Sequence, residues 1–223
     1  MIFLLVNDDG IKAKRLEYTK SILSKYGKVY TVAPKLEQSG KSMSITLSKI
    51  PYEKLDDYTY AVDGTPVDCV SFAIFGLKLK PDYVISGINE GFNIGVDTVY
   101  SGTVGAAFQA HYYGYKTIAF SGDAKGTENV KKYFESTLKY LFANNVSSKD
   151  HVVNVNFPKE KFSEEAKISF TEPYFVKMRL VANVMESSFY TYREILEDEI
   201  PENSDVYALR HGNISISKLY LSR

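Results

Sequence analysis

The amino terminus joins an apolar run to two adjacent carboxylates. Residues 2–6 are all apolar with no polar alternation, and Asn7-Asp8-Asp9-Gly10 follows them directly. An unbroken apolar run of this length predicts a parallel strand that is buried on both faces. Because parallel sheets of this kind occur almost only in α/β proteins, the first strand already limits the fold class.

The following residues alternate predicted helices and strands. A helix over about residues 15–26 and a strand over residues 28–33 complete a strand-helix-strand unit. This alternation continues along the chain and predicts an α/β fold with a doubly wound, mostly parallel sheet. The further predicted strands are residues 83–85, 116–121 and 151–158, and the further helices begin at Pro66 (with Thr65 as N-cap), near Gly102 and at Thr127.

Two parts of the chain depart from this pattern. Residues 43–50 and 58–62 alternate like antiparallel strands. After Pro158 the chain is rich in Lys, Glu, Tyr and β-branched residues, with a short helix predicted over residues 192–200. We therefore divide the chain into an α/β core, residues 1–158, and a C-terminal β-rich arm, residues 159–223. The arm is expected to belong to the same domain and to serve in oligomerisation.

Composition excludes several classes of protein. The 223 residues contain 27 Lys and Arg and 27 Asp and Glu, so the net charge is zero, which argues against a binder of nucleic-acid polymers that relies on a bulk positive field. The single cysteine, Cys69, excludes an intrachain disulfide framework and a cysteine zinc site. No apolar run approaches the ~20 residues of a membrane helix. We expect a cytoplasmic protein with no membrane partner.

The Asn7-Asp8-Asp9-Gly10 segment is a candidate metal site. Two adjacent ionised carboxylates at the end of an apolar strand repel each other, and a hard divalent cation would offset that repulsion. Gly10 would let the chain turn sharply with a positive φ. The alternative is an Asp-Gly turn in which Asp8 or Asp9 caps the next helix. These four residues alone do not decide between the two.

Two other loops carry side chains that suit a cation or a phosphate. Asn89, in the Ser-Gly-Ile-Asn-Glu-Gly-Phe-Asn segment, offers a neutral oxygen that completes a Mg²⁺ or Mn²⁺ shell without adding charge. Asn93 offers an NH₂ donor to a phosphate oxygen. Ser39 offers a hydroxyl oxygen, and Lys41 a cation, but the loop that contains them has no specific pattern of its own.

A third candidate is the start of the small-residue helix. Ser101-Gly102-Thr103 combines free helix N–H groups, the positive end of the helix dipole and two hydroxyls, which together form an anion site. The alternative is a helix with Ser or Thr as its N-cap. Ligands of doubly wound sheets lie beyond the carboxyl ends of the strands, so the three loops are expected to converge. A divalent cation beside a phosphate site describes metal-assisted phosphoester hydrolysis.

Several long stretches resemble the SurE family (survival protein E), which comprises metal-dependent nucleoside-monophosphate phosphatases. They are NDDGI from Asn7, VAPKLEQSGKSMSITL from Val32, GTPVDCV from Gly64, PDYVISGINEGFNIGVDTVYSGTVGAA from Pro81, NVNFP from Asn154 and SDVYALRHGNISISKL from Ser204.

The resemblance implies a Rossmann-like α/β core and 5′-nucleotidase activity. It implies hydrolysis of nucleoside 5′- and 3′-monophosphates, in some members also of short polyphosphate, and dimers or tetramers with exchanged C-terminal elements. It also implies one divalent ion per subunit, Mg²⁺ or Mn²⁺. The implied metal ligands are Asp8, Asp9, Ser39 and Asn89, and the implied phosphate-binding residues are Asn93, Ser101, Gly102 and Thr103.

The chain departs from the family pattern at three places. None of the departures removes an implied ligand, but the first two bear on substrate approach and the third on the arm. They are Lys14-Arg15 where the family commonly has Pro-Gly, Gln38 where an Arg is common, and Ser217-Lys218 where the family has Thr-Pro.

The mechanism expected from these residues is direct attack by water. The ion polarises a phosphoryl oxygen, and Asp8 or Asp9 takes the proton of the water. One alternative is an aspartyl-phosphate phosphatase, which we disfavour because adjacent acids do not match the Asp-any-Asp geometry of that class. Another is a non-catalytic nucleotide-binding regulator. His211 is a weaker candidate that would approach a substrate across a subunit interface.

Overall fold

The structure is a computed structural model that describes residues 1–160, 162, 165–196 and 199–221. Eleven strands and six α-helices lie within these ranges, and a π-helical turn over Phe72–Gly76 extends the second helix. The strands are β1 (Ile2–Val6), β2 (Lys28–Pro34), β3 (Tyr52–Asp56), β4 (Thr59–Val62), β5 (Tyr83–Glu90), β6 (Lys116–Gly122), β7 (Val152–Phe157), β8 (Ile168–Thr171), β9 (Met178–Val184), β10 (Phe189–Ile195) and β11 (Ile214–Leu219). The helices are α1 (Lys14–Leu23), α2 (Pro66–Ser71), α3 (Asp97–Tyr100), α4 (Gly102–Tyr112), α5 (Glu128–Ala143) and α6 (Asp205–Arg210).

Nine of these strands form one sheet in the order β3-β4-β2-β1-β5-β6-β7-β11-β8. The pairs from β4 to β7 are all parallel, whereas β3 pairs antiparallel with β4, and β11 pairs antiparallel with β7. The strand order reverses at β1, because β2 lies on one side of it and β5 on the other. The carboxyl ends of β1 and β5 therefore lie side by side at the point where such sheets bind ligands.

Helices cover both faces of the sheet, which confirms the doubly wound architecture. Residues of α1 and α5 pack on one face against Phe3 and Leu5, and residues of α2 and α4 pack on the other against Leu4 and Val6. Successive side chains of a strand point to opposite faces. Residues 3–6 of β1 are therefore buried on one face or the other, which explains the apolar run there, whereas Ile2 at the start of the strand is exposed.

The predicted start of α2 is confirmed in detail. Thr65 is the N-cap and its hydroxyl accepts a hydrogen bond from the backbone N–H of Asp68, while the Asp68 carboxylate accepts one from the N–H of Thr65. Pro66 occupies the first helical position.

Helix α1 is shorter than predicted, because it ends at Leu23 rather than near Tyr26.

Two local predictions are wrong. Residues 43–50 form no strand, and the antiparallel partner of β4 is β3. The first segment is held as a loop by other parts of the chain: the backbone N–H and hydroxyl of Thr46 both donate to the Asp68 carboxylate. Residues 192–195 belong to β10, which pairs with β9, and the helix of the arm is α6. Aromatic and β-branched residues such as Tyr190 and Thr191 favour strand pairing, while residues 197 and 198 of the predicted helix lie outside the described residues.

The C-terminal segment is attached to the same sheet. Strands β8 and β11 extend it, while β9 and β10 form a separate antiparallel hairpin. The domain division at Pro158 stays a prediction. Among the helices of the described residues, none is both long and apolar enough to cross a membrane.

Candidate active site

The carboxylate of Asp8 lies under the first turn of α4. The backbone N–H of Thr103 donates to Oδ2 of Asp8 at 3.2 Å, and the Thr103 hydroxyl donates to Oδ1. A Cβ atom added at Gly102 would lie 3.1 Å from Oδ2 of Asp8, so a glycine allows the helix end to approach this closely. Burial raises the pKa of Asp8, while the hydrogen bonds from Thr103 act to lower it.

The carboxylate of Asp9 has fewer hydrogen-bond partners than that of Asp8. Its Oδ2 atom is buried and has no hydrogen-bond partner within the described residues. Burial, together with the nearby charges of Asp8 and Glu90, raises the pKa of Asp9 from 3.8 to about 7. A group in this state is stabilised by a bound cation, because the cation replaces the missing partner and offsets the repulsion.

The turn after the two acids is held by its own residues. The side-chain NH₂ of Asn7 donates to the carbonyl of Gly10 at 3.0 Å, which closes the loop around Asp8 and Asp9. Gly10 has a φ of 97°, as the sequence predicts. Asn7 thus braces the loop by a side-chain hydrogen bond. The alternative in which Asp8 or Asp9 caps the next helix is wrong, because the N-terminus of α1 has no side-chain cap.

The structure brings Asn89 to the same edge of the sheet. Its side-chain NH₂ donates to the carbonyl of Gly91 at 3.0 Å, and the side-chain oxygen is left for a cation. Ser39 lies on an exposed loop that is joined to the site by a hydrogen bond of 2.7 Å from the N–H of Gln38 to the carbonyl of Asp8. The hydroxyl of Ser39 itself donates to Glu37 at 2.7 Å.

The backbone of Asn93, a predicted phosphate-binding residue, is held by hydrogen bonds to two asparagine side chains. The N–H of Asn93 donates to Asn156, and its carbonyl accepts from the side chains of Asn154 and Asn156. The side-chain NH₂ of Asn93 donates to the hydroxyl of Ser121 at 2.8 Å, which uses one of its two hydrogens. The backbone of this loop is therefore fixed independently of what the Asn93 side chain binds.

Side-chain hydroxyls at the start of α4 have internal partners. The Ser101 hydroxyl accepts from the N–H of Val104 at 3.1 Å and is the N-cap of the helix, and the Thr103 hydroxyl is bonded to Asp8. The capping interpretation of Ser101 is thus correct, and it does not remove the anion-favouring end of the helix dipole. The roles of Ser101, Gly102 and Thr103 in phosphate binding stay predictions.

Sequence reasoning missed three charged residues at this edge. The negative charge of Glu37 contributes to raising the pKa of Asp8, and the negative charge of Glu90 contributes to raising the pKa of Asp9. Arg15 was noted only as a departure from a pattern, yet its guanidinium is buried and bonded to the carbonyl of Asn89 at 2.7 Å.

Asn154 and Asn156 carried a usable signal, because polar residues at a spacing of two in a buried apolar strand all face one side.

The donor set fits a hard divalent cation. Nowhere in the described ranges do three or more His, Cys, Asp or Glu side chains come together to hold a metal ion. A cation next to Asp8 and Asp9 therefore needs neutral oxygens as well, and Asn89 and Ser39 offer them. Carboxylate, amide and hydroxyl oxygens suit Mg²⁺ or Mn²⁺, and a cation would offset the charge of Asp9, whose Oδ2 has no partner within the described residues.

Comparisons with known proteins show which family this chain resembles over most of its length. The family model described as "Survival protein SurE" matches residues 3–179. A protein of Legionella pneumophila named 5'-nucleotidase SurE is 34% identical over 99% of this chain and 91% of its own length. One of Wigglesworthia glossinidia brevipalpis named 5'/3'-nucleotidase SurE is 39% identical over 71% of this chain and 64% of its own. The crystal structure of the SurE protein from Aquifex aeolicus superposes with a TM-score of 0.86 at 32% identity, covering 100% of this chain and 94% of that one.

We predict that Asp9→Asn stabilises the metal-free protein. The folded pKa of about 7 lies above the ordinary value of 3.8, so stability falls as the pH rises from 3.8 to about 7 and the loss is complete above that. Above that pH, in a chelator, we expect the variant to melt higher than the parent protein, by ~3 °C for each kcal/mol gained.

Adding Mn²⁺ should reverse the order of the two melting temperatures. Only the parent protein has the Asp9 carboxylate as well as that of Asp8, so it should gain more stability from the bound cation. The control is Asp63→Asn, an exposed acid, which should change neither value. Thermal melts by circular dichroism measure both, and a chelated variant that melts below the parent at every pH would contradict the assigned environment of Asp9.

Proposed function

The chain belongs to the SurE family, and from this premise we propose that it is a 5′-nucleotidase that hydrolyses nucleoside 5′-monophosphates. We extend the proposal to 3′-monophosphates, and to short polyphosphate as a secondary substrate, with one Mg²⁺ or Mn²⁺ per subunit. The observation that carries it is the pair of adjacent carboxylates, Asp8 and Asp9, at the switch point of the sheet, of which Asp8 is buried and bonded to the N-terminal turn of α4. A cation held by these two acids would lie next to the positive end of α4, which supports phosphate binding there.

The residues that would hold the cation are Asp8, Asp9, Asn89 and Ser39. When bound, a divalent cation withdraws electron density from a phosphoryl oxygen and acidifies water. Asp8 receives two hydrogen bonds from Thr103, which offset part of the cost of burying its charge. Asp9 has an unpartnered oxygen, Oδ2, and is the better acceptor for the proton of the attacking water.

The remaining steps are assigned to the phosphate-binding residues. Oxygen of the water forms a bond to phosphorus while the ester P–O bond breaks, and the nucleoside leaves as an alcohol with a proton from solvent. Asn93 keeps one hydrogen of its NH₂ for a phosphate oxygen. The N–H of Gly102, at the positive end of α4, is our candidate for a second donor, since the N–H groups of Thr103 and Val104 are used internally.

A neighbouring cavity supports a nucleoside as the leaving group. It has a volume of about 660 Å³ and includes Ser101 in its lining. Met43, Phe108 and Phe175 give it apolar walls, and Lys218, one of the departures from the family pattern, is also in its lining. Apolar and aromatic walls with a few polar groups are typical of sites for small organic ligands.

We also propose that the protein acts in the cytoplasm, where a reducing environment suits its single, buried cysteine, Cys69.

The decisive test is a panel of nucleoside monophosphates and short polyphosphate, assayed for released phosphate with a chelator, Mg²⁺ or Mn²⁺. We expect metal-dependent release from nucleoside monophosphates and its loss in Asp9→Asn, with Asp63→Asn as the unchanged control. Binding of a monophosphate without turnover would point to a regulator instead. A phosphoenzyme trapped by rapid quench would replace direct water attack by an aspartyl-phosphate mechanism.

The role of Asn93 makes a second prediction. Asn93→Ala should lower kcat/KM about 100-fold, which is the usual effect of removing one donor to a charged oxygen. Its melting temperature should stay close to that of the parent, because Asn154 and Asn156 hold the backbone of residue 93. Ser121→Ala, which removes only the protein partner of the side chain, is the matched control and should have a smaller effect. Unchanged kinetics in Asn93→Ala would exclude the residue from phosphate binding.

The hairpin of β9 and β10 supports an assembly of subunits. Leu180, Val184 and Phe189 are 67%, 79% and 69% exposed, which is unusual for apolar side chains concentrated on one hairpin. We propose that they are covered in a homodimer or homotetramer with exchanged C-terminal elements.

Replacing Leu180 and Phe189 together by Gln should shift the mass measured by light scattering toward the monomer. Glu186→Gln, an exposed polar change between the two strands, is the control and should leave the mass unchanged. An assembly that survives the double substitution would exclude the hairpin as the contact.

A further inference from the structure

Arg15 is a buried arginine in the first turn of α1. Only 3% of its surface is exposed, although arginine is almost never buried to this degree unless its charge and donors are satisfied. It follows the Asp8-Asp9 loop by a few residues and stands where the SurE pattern commonly has glycine. Any role of this side chain is therefore a property of this chain rather than of the family pattern.

All four hydrogen bonds of the Arg15 guanidinium go to backbone carbonyls. One nitrogen, Nη1, donates to Asn89 at 2.7 Å and to Gly122 at 3.4 Å. The other, Nη2, donates to Asp123 and, at 2.8 Å, to Gly126. No carboxylate within the described ranges forms an ion pair with it, so its arrangement is set by main-chain oxygens.

These carbonyls belong to different segments at the carboxyl edge of the sheet. Asn89 lies at the end of β5, and residues 122–126 run from the end of β6 toward α5. Arg15 itself lies on the helix that follows Asp8 and Asp9. The two Nη atoms of one planar group thus link the loop of the two acids to the segment that carries Asn89, which the single ammonium of a lysine cannot reproduce, while Nε has no partner within the described residues.

The charge of Arg15 and its hydrogen bonds have opposite consequences for a cation. Asp9 and Glu90 are among the carboxylates whose charge acts on Arg15. A positive charge at this place repels a divalent ion, so its removal alone would strengthen metal binding. If the hydrogen bonds matter more, removal of the side chain would weaken metal binding, because Asn89 would no longer be held beside the two acids.

We propose that Arg15 is a positioning residue for the cation site, which fixes the Asn89 segment relative to Asp8 and Asp9 through its carbonyl bonds. The inference deepens the proposed function, since the ion is the divalent cation of that site. Residues that orient the ligands of a metal commonly change metal affinity by 10- to 100-fold when they are replaced.

The test compares two variants with a matched control in the metal-free protein without substrate. Arg15→Lys keeps the charge and loses the bridge, and Arg15→Met loses both. Leu16→Ala is the control, because Leu16 is buried on the same helix but belongs to the apolar core. Isothermal titration with Mn²⁺ gives the affinity, and thermal melts give the stability of each variant.

We expect both Arg15 variants to bind Mn²⁺ about 10- to 100-fold more weakly than the parent, and phosphate release to recover when Mn²⁺ is raised. Leu16→Ala should lower the melting temperature while its Mn²⁺ affinity stays within about twofold, which separates positioning from general loss of stability. If Arg15→Met does not fold, Arg15→Lys provides the test, because lysine retains the positive charge and most of the length of the arginine side chain.

Two results would overturn the inference alone. One is an unchanged Mn²⁺ affinity in both variants, and the other is tighter binding in Arg15→Met with no change in Arg15→Lys, which would assign Arg15 a purely electrostatic effect. A parent protein that binds no Mn²⁺ would overturn the cation site of the proposed function as well, so the two failures are distinguishable.

Discussion

The hydrogen bonds between Asp8 and Thr103 connect the two halves of the site. Asp8 follows the first strand by two residues, and Thr103 lies in the first turn of α4. A carboxylate that is only 3% exposed needs donors to carry charge, and the positive end of a helix supplies both donors and a favourable field. Because the same helix end is our candidate for the phosphate, this contact would set the spacing between a bound cation and a bound phosphate.

A second set of polar contacts fixes the loop between β5 and α4. Asn154, Asn156 and Ser121 are fully buried on neighbouring strands, and all three bond to Asn93. Buried amides of this kind are unfavourable unless they are paired. Here they hold a loop whose own residues are small. The loop is thereby preorganised by the sheet beneath it, as sites of this type require.

The C-terminal arm also contacts this loop. The buried carboxylate of Asp205 accepts from the N–H groups of Gly95 and Tyr174, and Arg193 of the hairpin pairs with Asp97 on α3. The arm therefore supports the segment that leads into Ser101. In the assembly that we propose, α3 would connect the subunit contact to the segment that leads into Ser101.

Local predictions succeeded where neighbouring residues carried the whole cause. The capping box of α2 and the positive φ of Gly10 depend on a few adjacent positions. Residues 43–50 failed because Asp68, distant in sequence, holds Thr46 in a loop. The hairpin strand β10 was mistaken for part of a helix because its partner, β9, is what satisfies its backbone.

The sequence by itself determined the doubly wound α/β sheet, the buried first strand and the chemical types of side chain at the strand ends. Hydrophobic periodicity and turn residues act over a few positions, and they are visible in one dimension. Only the tertiary structure decided which atoms remain free at the site. The hydroxyls of Ser101 and Thr103 have partners inside the protein. Oδ2 of Asp9 has none among the described residues, and Arg15 is buried among carbonyls from two other segments. Hydrogen-bond pairing depends on distances between segments that are remote in sequence, and no local pattern specifies them.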